Sequence, residues 1–405
     1  MQLIQAKVRC VEGVRDTGWF VPGRETTVFY GPRGGGKTSL LQALQTLNPP
    51  YDIHRVKPFA DHPRVWKQNE YDRRVVPEKK TAVFFVFSAR AEQVVRLADI
   101  DADLIETDRV EIGRRLDNSR WTSFVELSAS SRWREIAEDM SVLRRAVADW
   151  GDGADTNFFK GLGESDRLQG DAAADCLRWL QNMKHLLPDD QHERYQRCLY
   201  HIQRRQRFYQ AEEKIAQELP LTLYLNPGCA LPDSFRVDKI MNGRTRDEAP
   251  VVTDMLSLIY QKYDLLRSGV TLQQLQAEAQ KQMEPIARLL RENGWPIPVL
   301  SSDSQRVYFT DIPKDVFGQR LYLVALTCLL AQLCHGARPV LLLDCFDHGM
   351  AGDERLEITR FQQRLGSWCQ LLVATADEGV AGAPGWQSVF RLGPGGLRES
   401  GLVPF

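Results

Sequence analysis

The stretch Gly31-Pro32-Arg33-Gly34-Gly35-Gly36-Lys37-Thr38 constrains this chain more than any other. It reads G-x-x-x-x-G-K-T, follows the strand-like run Thr26-Thr27-Val28-Phe29-Tyr30 and precedes the helix-like Ser39-Leu40-Leu41-Gln42-Ala43-Leu44. Strand, glycine loop and helix in that order make a phosphate-binding loop, and an α/β fold to hold it. Glycines let backbone N–H groups close around a polyphosphate, while the new helix turns its positive dipole end to the same point. The expected contacts are Gly31, Pro32, Arg33, Gly34, Gly35, Gly36, Lys37, Thr38 and Ser39. Lys37 would reach the β and γ phosphates of ATP, and the Thr38 hydroxyl would join the shell of a Mg²⁺ ion.

The rest of the composition narrows the class. With 52 Lys plus Arg against 53 Asp plus Glu in 405 residues, any nucleic-acid contact must come from a local patch. The eight cysteines are scattered without a C-x-x-C pair, so neither a zinc site nor a disulfide framework is expected. The start, Met1-Gln2-Leu3-Ile4-Gln5-Ala6-Lys7, lacks the apolar run and cleavage site of a signal peptide. No uninterrupted apolar run reaches the ~18 residues of a membrane span. The expected compartment is the reducing cytoplasm.

Val340-Leu341-Leu342-Leu343-Asp344 is a second nucleotide motif, four aliphatic residues ending in an acid. A buried parallel strand reads this way, and its terminal carboxylate falls at the edge where α/β sheets bind ligands. Beside a P-loop it reads as a Walker B strand, with Thr38 and Asp344 sharing the metal. The two motifs are 307 residues apart (344 minus 37), which implies a core split around a large insertion. In this the chain resembles the ABC-type ATPases of DNA maintenance: RecF, SMC and OLD proteins. Leu3 to Val11 with Gly18-Trp19-Phe20-Val21 resembles their opening strand pair. Leu371-Leu372-Val373-Ala374-Thr375 resembles the switch strand, and Trp386 to Leu392 with its glycine turn resembles the closing strand. The resemblance implies an ABC-type P-loop head, a split α/β core with mixed sheet, plus an inserted, mainly helical lobe. The expected divisions are 1–128 and 300–405 for the core and 129–299 for the lobe.

Against that family pattern several positions depart. The signature loop that meets the opposite protomer's γ-phosphate aligns with Asp315-Val316-Phe317-Gly318-Gln319-Arg320. Gly318, Gln319 and Arg320 match, while Val316 replaces the phosphate-binding serine. Cys345 stands where the catalytic glutamate belongs, and a thiol lacks a carboxylate's charge at neutral pH. Asp347 serves instead only if the chain bends after the strand. Ala376 stands in place of the switch histidine. Lys37, Asp344 and Asp347 are thus the catalytic candidates, with slow or absent hydrolysis expected. Gln68 is a candidate metal contact or a surface residue, and Trp19 either stacks on adenine or packs in the core.

Between the motifs, residues 85–128 read as further β structure, and Trp133 to Trp150, 171–186 and a long helix from Pro188 to near Leu219 read as helices. Pro220 to Asn226 reads as a strand, and Val251 to Tyr263 and Leu272 to Asn293 as two more helices. Arg194, Arg197, His201, Arg204 and Arg205 form a basic stripe that either tracks a DNA backbone or pairs with acidic neighbours. No toprim-like acidic cluster follows Asp344, so nuclease chemistry would need a separate polypeptide. The partners implied by the resemblance are ATP, a second copy of the chain or a higher homo-oligomer, double-stranded DNA and a separate nuclease or toxin. The pathway implied is DNA maintenance, repair or anti-phage defence. The alternative is a non-catalytic, nucleotide-bound scaffold subunit.

Overall fold

The structure, a computed structural model, describes residues 1–11, 14–50, 80–147, 161–226, 228, 231–242, 250–282, 284–292, 297–303, 305–335, 338–393 and 396–399. Fourteen strands lie among them: β1 Gln2–Val11, β2 Val14–Asp16, β3 Thr26–Tyr30, β4 Thr81–Ser88, β5 Arg109–Arg115, β6 Arg120–Phe124 and β7 Thr222–Leu225. The others are β8 Ser234–Arg236, β9 Val299–Ser302, β10 Arg306–Thr310, β11 Val340–Asp344, β12 Gln370–Thr375, β13 Ser388–Gly393 and β14 Gly396–Glu399. They form three sheets, ordered β2-β1-β4-β5-β6, β8-β10-β9 and β14-β13-β3-β12-β11-β7.

The six-stranded sheet positions the site. β13, β3, β12, β11 and β7 run parallel, and only β14 is antiparallel. Every residue of β3, β11 and β12 is buried, the expected state of aliphatic parallel strands covered on both faces. Because β12 intervenes between β3 and β11, the P-loop, Asp344 and Thr375 all emerge at the same sheet edge. The helix Val316–His335 is long and apolar enough to cross a membrane by length and composition, yet most of it is buried. Its Leu321, Leu326 and Leu330 share one core with Leu341, Leu343 and Leu371.

A buried glutamine ties the chain's two ends together. Gln370 Nε2 donates to the Leu3 and Gly23 carbonyls at 2.8 and 3.0 Å, and its Oε1 accepts from Leu3 N–H at 3.1 Å. The core is therefore split in sequence and joined in space, a mixed α/β P-loop head as expected.

The chain divides into two compact units, one of residues 1–88, 112–121 and 219–405, the other of 89–111 and 122–218. The second is mainly helical, with Trp133, Met140, Leu143, Cys176, Trp179 and Ile202 in its own core. These divisions differ from the expected insertion of 129–299. Residues from 219 onward belong with the sheet because β7 pairs with β11 and Val252, Met255 and Ile259 pack into the sheet's core. Residues 89–111 join the helical unit, and Ala91–Ala98 is a helix where β structure was expected. The long helix breaks at Gln203 into His192–Ile202 and Arg204–Gln217, and Leu272–Gln282 and Glu284–Glu292 are two helices rather than one.

Candidate phosphate-binding site

The loop after β3 takes its shape from glycine. A Cβ on Gly31, whose φ is 155°, would lie 2.0 Å from the Leu392 carbonyl oxygen on β13. Gly36 caps the helix Lys37–Gln45 in the left-handed region, with φ 88°. That helix has no acidic residue in its first turn, so no side chain offsets its positive end.

Lys37 is buried and folded back onto its own loop, donating to the Gly31 and Pro32 carbonyls at 2.8 Å each. Burial lowers its pKa, opposed by the nearby Cys345, Asp344 and Asp347. An ammonium whose hydrogen bonds go to two neutral carbonyls can exchange them for the oxygens of an anion.

Asp344 ends β11 buried, with Oδ2 accepting from the Tyr224 hydroxyl at 2.8 Å. Its Oδ1 has no N–H or O–H donor. The Cys345 thiol, a weak donor, adjoins the same carboxylate. Cys345 adopts the left-handed region, φ 52°, and this bend carries Asp347 back toward the sheet. There Asp347 Oδ2 accepts from the Thr375 hydroxyl at 2.7 Å. The bend on which a role for Asp347 depended is therefore present. Burial is the main cause pushing the Cys345 thiol up to about 12, with Asp344 adding to it, so the sulfur is neutral near pH 7.

These pieces converge on one cleft of about 820 Å³. Its walls are Arg33 to Ser39 from the loop, Cys345, Asp347, His348 and Gly349 after β11, Arg355, and Ala376 with Asp377 after β12. Arg33 Nη2 lies 3.4 Å from His348 Nε2 across it. No cluster of three or more potential metal-ligating side chains occurs among the described residues. The donor set nevertheless fits Mg²⁺, which takes one or two protein oxygens and draws the rest from phosphates and water. Thr38, on the cleft wall, and the orphaned Asp344 oxygen, at the end of β11, would be those donors.

Other expected site residues fall elsewhere. Arg320, matched to a loop acting on an opposite protomer, points into its own chain. Its Nη1 donates to the Phe346 carbonyl and, at 2.9 Å, to that of His348. Arg320 therefore shapes the turn after β11. Gly318 is buried and its N–H is held by Asp315 at 2.6 Å, whereas Gln319 and Val316 are exposed. Trp19 is 48% exposed, edge-on to Phe84, and does not line the cleft. Gln68 lies outside the described residues.

The basic stripe is paired rather than bare. Arg194 and Arg197 both bind Asp139, at 2.6 and 2.7 Å, Arg204 binds Asp103 at 2.8 Å and Arg205 meets Glu212 at 3.4 Å. Of the two readings of that stripe, the arrangement favours pairing with acidic neighbours, since charge already neutralised adds little to phosphate binding.

Tyr224, Thr375, Arg355 and Asp377 went unrecognised in the sequence. Thr375 and Asp377 flank Ala376 and were legible as strand-end residues. Tyr224 required the β7–β11 register and Arg355 the packing of its helix, neither of which spacing reveals.

No protein-family profile matches the chain, and no curated protein does. Among solved structures it is similar to SMC head domains. One is the Smc head of Pyrococcus furiosus with an extended coiled coil, bound to the C-terminal domain of ScpA (10% identity, 98% of this chain, 96% of that chain, TM-score 0.36). Another is the SMC head domain of Thermotoga maritima (10% identity, 99% and 98% covered, TM-score 0.36). A third is the Smc head of Pyrococcus yayanosii with a coiled coil and joint (11% identity, 100% and 97% covered, TM-score 0.40).

Proposed function

We propose that this chain binds ATP with Mg²⁺ in the cleft and acts as an ABC-type ATPase of the RecF, SMC and OLD kind, switching as a dimer. The observation that carries the reading is the convergence of the glycine loop, the end of β11 and the end of β12 on one cavity. Lys37 exchanges its two loop carbonyls for phosphate oxygens. Loop N–H groups and the helix start hold the phosphate chain. Thr38 and Asp344 hold the metal, which when bound neutralises phosphate charge. Asp347, fixed by Thr375, is the acid positioned to orient a water.

Isothermal titration with Mg²⁺-ATP tests this. Lys37→Ala should bind about tenfold to a hundredfold more weakly, the loss expected for a charge-assisted hydrogen bond. Equal affinity in the two proteins would exclude the cleft as the site. Light scattering tests the switch: an unchanged mass with and without ATP rules out nucleotide-dependent dimerisation.

A second reading, a nucleotide-bound scaffold with little turnover, is favoured by the neutral Cys345 thiol and the side chain of Ala376, which has no polar group. Turnover abolished by Asp347→Ala would decide for the enzyme. A cytoplasmic setting in DNA maintenance, repair or anti-phage defence, with a separate nuclease or toxin partner, rests on the sequence resemblance. ATP turnover measured with and without double-stranded DNA addresses it directly.

A further inference from the structure

Beyond the glycine loop, the lining of the cleft includes a guanidinium. Arg355 lies in the first turn of the helix Gly352–Leu365, whose Ile358, Phe361 and Leu365 are buried and fix its backbone. Its Nε donates to the Met350 carbonyl at 2.9 Å and its Nη1 pairs with Asp377 Oδ2. Both Arg355 and Asp377 line the cavity shared with Lys37. Asp377 has a second occupation: its Oδ1 caps the short helix Glu378–Ala381, accepting from Gly379 and Val380 N–H at 2.8 and 3.2 Å. Releasing Arg355 would leave that cap intact.

The pair is partly open to solvent, with side chains 39% and 28% exposed, so its net stabilisation is small and a stronger anion displaces it. A terminal phosphate in the cavity is such an anion, offering a guanidinium two oxygens where Asp377, its other oxygen taken by a helix cap, offers one. Ala376 lies between Asp377 and the end of β12, lines the same cavity, and has no group to meet that phosphate.

We propose that Arg355 reads the terminal phosphate of a bound nucleoside triphosphate, leaving Asp377 to do so, and thereby distinguishes triphosphate from diphosphate. This rests on the nucleotide reading above. Arg355 would be a recognition residue for the last phosphate, with Asp377 as the competitor that holds it when that phosphate is absent.

The experiment is a pairwise titration of the full chain with the slowly hydrolysed triphosphate ATPγS and with ADP, each with Mg²⁺. Arg355→Ala should weaken ATPγS about tenfold to a hundredfold and change ADP less than about threefold. Asp377→Asn, which keeps a capping oxygen but removes the charge, should strengthen ATPγS about twofold to fivefold relative to ADP. Parallel losses for both nucleotides in Arg355→Ala, or an unchanged ratio in Asp377→Asn, would overturn the inference while leaving nucleotide binding in place. If the unaltered chain binds neither nucleotide, both readings fall. Should Arg355→Ala fail to fold, the Asp377→Asn ratio decides alone.

Discussion

The Tyr224 hydroxyl donates to Asp344 Oδ2 at 2.8 Å across two adjacent parallel strands. The register pairs Tyr224 with Leu342, so Asp344 lies two residues further along β11, about 6.6 Å at the strand rise. A tyrosine leaning along its strand spans that interval, and no shorter side chain would. The carboxylate is thereby aimed at the sheet edge with one oxygen satisfied and the other open. Tyr224→Phe removes the donor and leaves a buried carboxylate oxygen unmet, which should cost about 1–3 kcal/mol. Urea unfolding would register this as a lower midpoint at unchanged slope. An unchanged midpoint means that the carboxylate does not depend on Tyr224.

Much of this site was legible from residue order. The glycine loop needs a strand before it and a helix after it, and both are there. The aliphatic run before Asp344 reads as a buried strand by itself, and the P-loop elsewhere in the chain is what makes its terminal acid a Walker B candidate. Contacts between segments distant in sequence left no trace in spacing. Arg320 looked like a group for an opposite protomer because its neighbours are Gly318 and Gln319, yet its guanidinium closes the turn at Phe346 and His348. The arginines near 194–205 looked like a stripe because the helical period aligns them. The acids that hold Arg194, Arg197 and Arg204, namely Asp139 and Asp103, come from segments far upstream. The end of the helical unit near residue 218 leaves no trace in spacing for a similar reason: Thr222–Leu225 is a four-residue strand whose partner lies more than a hundred residues on.

Cys345 yields a prediction about pH. Its ordinary value is 9.0, and burial with help from Asp344 raises it to about 12. A raised value means less thiolate at every pH below it, and thiolate is the form that alkylates. The rate of iodoacetamide labelling at Cys345, followed peptide by peptide, should still climb between pH 9.5 and pH 10.5, where an ordinary thiol is levelling off. A rate that levels off by about pH 10 would show the thiol to be unburied.

The same position tests why turnover should be slow. Cys345→Glu places a carboxylate at the end of β11, where the resemblance puts the water-polarising base. Such a base contributes about a hundredfold or more to a rate. Steady-state phosphate release should therefore rise by about that factor over the unaltered chain, with ATP affinity little changed. If turnover stays flat while binding persists, the geometry after β11 rather than the missing carboxylate limits the chemistry.

In the helical unit, Asp139 carries two guanidiniums at once: Arg194 at 2.6 Å and Arg197 at 2.7 Å. It is nearly buried, and neither arginine has another ion-pair partner within the described residues. Asp139→Ala should destabilise the protein by about 1–3 kcal/mol, as expected when a charge-assisted network loses its centre. It should also raise affinity for double-stranded DNA at low salt by freeing two cations, which fluorescence anisotropy would detect. Unaltered stability would make this a screened surface pair, and the basic stripe would regain its standing as a free surface.

Two glycines of the phosphate loop should respond differently to the same change. Gly31 is pressed against β13, and a methyl group there meets the Leu392 carbonyl oxygen at 2.0 Å, backbone that cannot step aside. Gly34 has φ 75° and nothing within 4 Å of the added carbon. Gly34→Ala therefore costs only the left-handed strain, about 1–2 kcal/mol, and any loss of phosphate contact appears in nucleotide titration. Gly31→Ala adds overpacking to an unfavourable backbone, about 2–5 kcal/mol in all, because β3 and β13 must separate to admit it. Thermal unfolding of the ligand-free proteins separates the two, with Gly31→Ala melting several degrees below Gly34→Ala. If they melt together, the P-loop is not wedged against β13, and the close approach that restricts position 31 to glycine does not hold in solution.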